Sequence, residues 1–502
     1  TALGTITTAA ATTLNVDVNA ALTAGTIVAA AATDVNVNLD AAVTASTITT
    51  AAATTFDVTG TANATLTQTA AGTAVITNSG SGDLELTAAI LAGQQYVGGS
   101  GVDTVEFAAA GTTASSLGAG DDVATFTAVA GAGGSVDAGD GDADVVLLTA
   151  ANAVTLSAND TFEGDIANFE RVSIETIANS GAGTDATIAM ANLDDISYVR
   201  VAGAAAETGG AATHTISGMS SGGTLELTAL LGTDRSVAVT GAFTGAADTF
   251  TLRGTATDGF VNAGAVTLAA IETLNVVVDD TDTTAPTAVF DFNVDATSAT
   301  TVNVSGDVGV TFANSSLTAL RTLDASGVTA TGAVGAVTAT ANAGLDTTLI
   351  GGAGNDVLTG NTGDDTITGN AGDDQLAGAA GSNVVNGGAG DDTITFTFQT
   401  GDNDVMTGGA GDDSFQSANT TAATIQVQEI VDMDLGTATT AADTLSLSLA
   451  AIVGLTTVTD LVDTSANSSA ATNGTVVTMI ADNQTVENAD LVVLSGTYTT
   501  AA

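Results

Sequence analysis

Residues 351–359 read Gly351-Gly352-Ala353-Gly354-Asn355-Asp356-Val357-Leu358-Thr359. Glycines at the first, second and fourth places, an acid at the sixth and a large apolar residue at the eighth give the nonapeptide G-G-x-G-x-D-x-U-x. Further frames start at Gly360, Gly369, Gly378 and Gly387. Three extra residues (Phe396, Thr397, Phe398) follow, then a degenerate frame at Gln399 and a good one at Gly408. The glycines permit positive-φ turns and expose carbonyl oxygens, and the aspartate adds a hard anionic oxygen suited to Ca²⁺. The x-U-x part predicts a three-residue strand with its apolar residue turned inward. The candidate metal-binding residues of this stretch are Gly352, Gly354, Asp356, Asp365, Gly372, Asp374, Gly388, Gly390, Asp392, Asp404, Gly409, Gly411 and Asp413.

A second block lies upstream. Gly98-Gly99-Ser100-Gly101-Val102-Asp103-Thr104-Val105 is a full match, and Gly118-Ala119-Gly120-Asp121-Asp122-Val123 a near one. Gly99, Gly101, Asp103, Gly120 and Asp122 are its candidate metal residues. Ala138-Gly139-Asp140-Gly141-Asp142-Ala143-Asp144 is one residue too long, so Asp140, Asp142 and Asp144 all stay candidates, with the choice of ligand open between Asp142 and Asp144. The spacings of 19 and 22 residues along Asp103, Asp122 and Asp144 suggest isolated Ca²⁺ turns within a solenoid rather than a regular roll. Asp279, Asp280 and Asp282 make either another site or an exposed acidic loop.

Toward the N-terminus, Thr5-Ile6-Thr7-Thr8-Ala9-Ala10-Ala11-Thr12-Thr13-Leu14 recurs from Thr26 and again from Thr47, a period of 21 residues. Each copy holds two alternating runs such as Leu14-Asn15-Val16-Asp17-Val18, the pattern of half-buried strands. One rung of a parallel β-solenoid has about this length. In the middle, Phe169-Glu170-Arg171-Val172, Ile271-Glu272-Thr273-Leu274 and Leu320-Arg321-Thr322-Leu323 each set a polar pair between apolar residues, as further rungs would. Helix signals are weak throughout. The expectation is an all-β chain with parallel β-solenoid rungs over 1–97, calcium turns over 98–150, rungs with irregular loops over 151–350, a calcium-binding β-roll over 351–416 and a C-terminal β region over 417–502.

Composition bounds the partners. Of 502 residues, 56 are acidic and 5 basic, for a formal net charge of −51. The basic residues are Arg171, Arg200, Arg235, Arg253 and Arg321. Such a chain offers no basic face to a phosphate backbone and is repelled by anionic lipid, which excludes nucleic acid and anionic membrane as partners. A hydrophobic fraction of 44% and a mean hydropathy of +0.37 exclude a disordered acidic tail. With 59 glycines, one proline, 3% aromatics and no cysteine, the chain has small β-formers for thin stacked layers and no thiolate for a metal or a disulfide. No apolar run approaches the length of a membrane span, so membrane insertion is not expected. Thr1 is not followed by a basic n-region, and the expectation is a processed or trimmed piece of a longer protein.

The nonapeptides resemble those of the RTX proteins, whose repeats wind into a parallel β-roll with two repeats per turn. That resemblance implies calcium between frames 18 residues apart, with Asp356, Asp374, Asp392 and Asp413 along one edge and Asp365, Asn383 and Asp404 along the other. The edge interrupted by Asn383 is then the weaker. Within the RTX proteins the chain resembles the surface-layer proteins of alphaproteobacteria. The Thr/Ala/Gly/Val composition carries this likeness, with Leu117-Gly118-Ala119-Gly120-Asp121-Asp122, Gly131-Ala132-Gly133-Gly134-Ser135-Val136 and Arg200-Val201-Ala202-Gly203-Ala204-Ala205-Ala206. It covers most of residues 60–502, and it implies a two-dimensional lattice of like subunits outside the outer membrane, held by Ca²⁺. It also implies a C-terminal type I secretion signal and a lipopolysaccharide-anchored N-terminal region that nothing in this sequence resembles.

Catalysis is not expected. The one histidine, His214, excludes H-E-x-x-H zinc chemistry. Gly218-Met219-Ser220-Ser221-Gly222 matches G-x-S-x-G, but its histidine lies before the serine and no helix pattern follows. An RTX adhesin is the competing reading, although such proteins carry long tandem domains rather than short repeats.

Overall fold

The computed structural model describes residues 2–108, 113–127, 134–175, 186–203, 212–229, 231, 235–257, 261–281, 288–312, 315–397, 402–418, 428–432, 443–446, 461–462, 476–479 and 491–494. Asp282 and the start of the Gln399 frame lie outside the described residues, as does most of the C-terminal 417–502 region. The chain divides into two compact units, Thr1–Thr228 with Asp234–Ala242, and Ala229–Thr233 with Phe243–Ala502. The division falls inside the 151–350 stretch. Each unit is a parallel β-solenoid.

In the first unit the chain alternates between two sheets. Ala2–Thr7, Ala24–Val28, Val43–Thr49, Ala64–Thr69 and Leu84–Ile90 stack in register in one of them. Thr13–Val18, Asp34–Leu39, Thr55–Gly60 and Val75–Asn78 stack opposite. Pairs such as Ile6 with Ile27, Ile27 with Ile48 and Val16 with Val37 place each residue over its counterpart 21 positions away. The period then shortens to 20 between Leu66 and Leu86 and to 19 between Gln95 and Ala114. Alternation explains the packing: Val35, Val37, Phe56, Val58 and Ile76 are buried from one side, Ile48, Leu66 and Leu86 from the other, with polar residues between them facing out.

Among the described residues, one α-helix interrupts this all-β pattern, which the weak helix signals did not predict. Ala150–Leu156 starts on Thr149, whose hydroxyl accepts from the Asn152 amide at 3.2 Å, and buries Ala153 and Leu156. The helix fills part of a longer excursion between the paired strands Val145–Leu148 and Arg171–Ile174.

In the second unit, Thr249–Ala256, Thr273–Asp280, Thr301–Gly306 and Thr322–Val328 lead through Thr348–Ile350 into Thr366–Ala371, Val384–Ala389 and Val405–Ala410, all parallel. Val357–Thr359, Gln375–Ala379, Thr393–Thr397 and Ser414–Ala418 stack opposite these last strands. The eighth-place residues Leu358, Ile367, Leu376, Val385, Ile394, Met406 and Phe415 are at most 2% exposed and form the core of the roll. The end of the chain departs from the parallel rule. Leu461–Val462 pairs antiparallel with Val476–Met479, and that strand antiparallel with Leu491–Leu494.

Candidate calcium sites

The sixth-place aspartates of the roll sit where a turn enters a strand, and the stacking of turns makes them into rows. In the first row the Asp356 amide donates to Asp374 Oδ1 at 2.7 Å, the Asp374 amide to Asp392 Oδ1 at 2.9 Å, and the Asp392 amide to Asp413 Oδ1 at 2.9 Å. The Asp413 amide continues it to Asp443 Oδ1, 30 residues on, at 2.8 Å. In the second row the Asp365 amide donates to Asn383 Oδ1 at 2.9 Å, and the Asn383 amide to Asp404 Oδ1 at 3.0 Å. All of these are buried.

One oxygen of each carboxylate is thus committed to a backbone amide. The other Oδ2 of Asp374, Asp392 and Asp413 is buried without a hydrogen-bond partner. Such an atom costs on the order of 1–3 kcal/mol unless something positive meets it. Burial pushes Asp374 up to about 7 and Asp356, Asp392 and Asp413 up to about 6, with backbone donors opposing it. Neighbouring carboxylates add to the rise at Asp374, Asp392 and Asp413. Asp404 is likewise pushed up to about 7 by burial. Orphaned, mutually repelling hard oxygens fit a divalent hard cation, which satisfies the free oxygen and cancels the repulsion together.

The glycines of the motif make the turns possible. Gly372 has φ +118°, and a Cβ there would collide with the Gly354 carbonyl of the turn before. Gly354, Gly388, Gly390, Gly409 and Gly411 likewise stack against the backbone of the neighbouring turn, and Gly352 abuts Val328. Close stacking brings successive acids within reach of one amide.

The upstream block repeats this arrangement. The Asp103 amide donates to Asp122 Oδ1 at 2.7 Å, and the Asp122 amide to Asp144 Oδ1 at 2.6 Å. All three are fully buried, and the Oδ2 atoms of Asp122 and Asp144 have no hydrogen-bond partner. Burial pushes Asp122 up to about 7 and Asp103 and Asp144 up to about 6. Asp144 therefore takes the row position, while Asp140 and Asp142 are exposed. The Asp142 amide donates to Asp121 Oδ1 at 3.3 Å, away from the row. Gly99 donates to Asp103 Oδ2 at 3.3 Å, and Gly101 and Gly120 stack on the backbone of the preceding turn. Asp279 and Asp280 do not belong to these rows: Asp279 pairs with Arg253, and the Asp280 amide donates to Asp307 Oδ1 at 2.8 Å.

A further set of acids went unread in the sequence. One place before each buried acid, an exposed side chain accepts from the amide of the same place one turn later. The Asp373 amide donates to Asn355 Oδ1 at 3.1 Å, the Asp391 amide to Asp373 Oδ1 at 2.9 Å, and the Asp412 amide to Asp391 Oδ1 at 2.9 Å. On the other edge, Asp364 donates to Asp346 and Ser382 to Asp364. The signal was the recurrent Asn or Asp at the fifth place of the nonapeptide, which the motif leaves as x.

The serine of the G-x-S-x-G match lies between two strands, Ala212–Met219 and Thr224–Leu227, not between a strand and a helix. His214 is buried within the first of them. The geometry is not that of a nucleophile elbow.

Residues 342–376, 368–396 and 400–417 match the RTX calcium-binding nonapeptide repeat. Comparison of the chain with curated proteins gives no match. The roll is thus built of RTX repeats, which bind calcium ions and whose role is structural. Proteins with these repeats are typically secreted, and the repeats mark a calcium-binding surface module. The residues that would hold the ions in the roll are Asp356, Asp374, Asp392 and Asp413 on one edge and Asp365 and Asp404 on the other. When bound, calcium would supply positive charge to the Oδ2 atoms of Asp374, Asp392 and Asp413, which the fold leaves without a donor.

Proposed function

We propose that this chain is a structural protein of the bacterial cell surface that assembles, after type I secretion, into a calcium-dependent two-dimensional S-layer lattice of the alphaproteobacterial kind. The observation that carries this reading is the set of buried carboxylate rows in a chain of net charge −51. A fold so charged resists compaction, and like copies of it repel, until cations neutralise it. Metal that binds only the folded state adds RT ln(1 + [Ca]/Kd), about 4 kcal/mol at a thousandfold excess over Kd. Calcium is scarce in the cytosol and plentiful outside, so the roll stays open during export and closes at the surface.

The partners in this reading are further copies of the chain, meeting through heterologous contacts that do not close. A separate lipopolysaccharide-bound N-terminal region supplies the anchor. Electron microscopy of purified chain in negative stain, first in EGTA and then in millimolar Ca²⁺, tests the proposal. Ordered sheets that form only with calcium support it. Folded monomers that never associate overturn it in favour of an adhesin-like module.

A further inference from the structure

The upstream row does not stop at its last aspartate. The Asp144 amide donates to Glu170 Oε2 at 2.8 Å, 26 residues on, just as the Asp356, Asp374 and Asp392 amides donate to the next acid of their row. Glu170 precedes the strand Arg171–Ile174, which pairs in register with Val145–Leu148, so it occupies the place of Asp144 one rung later. No nonapeptide marks it. Where the motif would set glycine two places before the acid, the chain has Asn168 at φ 59°, and a glutamate stands for the aspartate. Asparagine is the non-glycine residue that best tolerates this conformation.

Asp144 is fully buried. Its Oδ1 is bound to the Asp122 amide of the preceding rung, and its Oδ2 is a buried oxygen with no hydrogen-bond partner, packed where a Cβ on Gly141 would lie 2.5 Å away. Glu170 is the foremost like charge acting on Asp144. The neighbouring Arg171 guanidinium lies over the Tyr198 ring, 4.8 Å from its centre.

We propose that Asp144 and Glu170 hold a calcium ion between the last nonapeptide-like rung of the upstream block and a rung that carries no nonapeptide. The longer glutamate can reach across a wider rung, and its two oxygens can clasp a large, loosely directional ion in a way that suits Ca²⁺ over Mg²⁺. The site rests on calcium being the ion of the rows, and it extends those rows to a turn of different chemistry.

Terbium, a calcium substitute that emits when excited through a nearby tyrosine, separates this site from the roll. The chain has three tyrosines and no tryptophan, and none of the three lies in residues 342–417. The full-length Tyr96→Phe/Tyr498→Phe variant leaves Tyr198, one strand from Arg171, as the single antenna. Calcium-displaceable emission is expected, with Glu170→Gln raising its half-saturating terbium concentration about tenfold and Glu170→Asp retaining most of the affinity. Equilibrium dialysis should count one calcium ion fewer in Glu170→Gln than in the parent, with the circular dichroism spectrum unchanged. If Glu170→Gln unfolds the chain, Glu170→Asp carries the test, because a folded variant with a binding carboxylate must keep the emission. Emission that is absent, or indifferent to Glu170→Gln, overturns the site while calcium bound by the roll leaves the repeats' role intact. A chain that binds no calcium by dialysis overturns both.

Discussion

Replacing Asp374 with asparagine should reverse sign with calcium. Without metal, ionising Asp374 sets a charge between Asp356 and Asp392, and burial first, then these neighbours, push its carboxyl from 3.8 to about 7. That difference sets a ceiling of roughly 4 kcal/mol on the strain of keeping it charged, and solvent screening at the roll's edge brings it to about 1–2 kcal/mol. Asn383 shows what an amide does in the same place. Its Oδ1 keeps the bond from the Asp365 amide at 2.9 Å, while its Nδ2 donates to Asp404 Oδ1 at 2.9 Å and to the Gly381 carbonyl at 3.1 Å. Asp374→Asn should therefore stabilise the metal-free roll by about 1–2 kcal/mol. With calcium, the same change removes a carboxylate from the gap to Asp356 and from the gap to Asp392. A tenfold loss of affinity in each costs about 3 kcal/mol of calcium-dependent stability, leaving the variant about 1–2 kcal/mol below the parent. Thermal unfolding followed by circular dichroism across a calcium series should give two stability curves that cross. Parallel curves, with the variant above or below the parent throughout, would refute the account of the row.

The converse change, Asn383→Asp, should lower stability in EGTA and raise it in saturating calcium, with a lower calcium midpoint for folding in the same titration. Acid should also act with opposite sign on the two states. Asp374, Asp404 and Asp122 lie at about 7 in the metal-free fold, and Asp356, Asp392, Asp413, Asp103 and Asp144 at about 6, against 3.8 unfolded. The metal-free fold therefore binds protons more tightly than the open chain and gains stability as pH falls from about 7 toward about 4. Calcium requires the same groups ionised, so the calcium-bound fold loses stability over that window. Unfolding midpoints measured at about pH 5 and about pH 8, with and without calcium, should show the two slopes. Gly372→Ala, at φ +118° against the Gly354 carbonyl, should cost about 2–4 kcal/mol in chemical denaturation. Gly344→Ala, at φ +76° with open space around it, should cost about 1 kcal/mol.

The roll was legible because one nonapeptide carries its turn, its ligand and its core residue at fixed places. Leu358 through Phe415 fall inside, and Asp356 through Asp413 form a row, as that spacing requires. The rungs from Thr5, Thr26 and Thr47 were legible for a similar reason, since parallel stacking repeats side chains in register. Where the period varies, reading failed. The extra residue in Ala138–Asp144 left the ligand open, and the structure sets Asp144 in the row because it directly precedes the strand. Glu170 was seen as half of a polar pair, yet its place in a row depends on the 26-residue excursion that returns it beneath Asp144. The helix Ala150–Leu156 lies within that excursion and offers a sequence reader little beyond the Thr149 cap and two buried residues. The fifth-place acids went unread because their hydrogen bonds exist only once two turns lie together.

The short register of the roll governs how it yields to force. Among the described residues of 351–416, successive turns are tied to one another at separations of 18 to 21 residues. A pull on one end frees the outermost turn alone, releasing roughly 60 Å of slack at ~3.5 Å per residue while its neighbour stays closed. Any ion shared between those two turns leaves at the same moment, so each step is as strong as the ambient calcium makes it. Length given up in this way comes turn by turn, each step at a load that the free calcium sets.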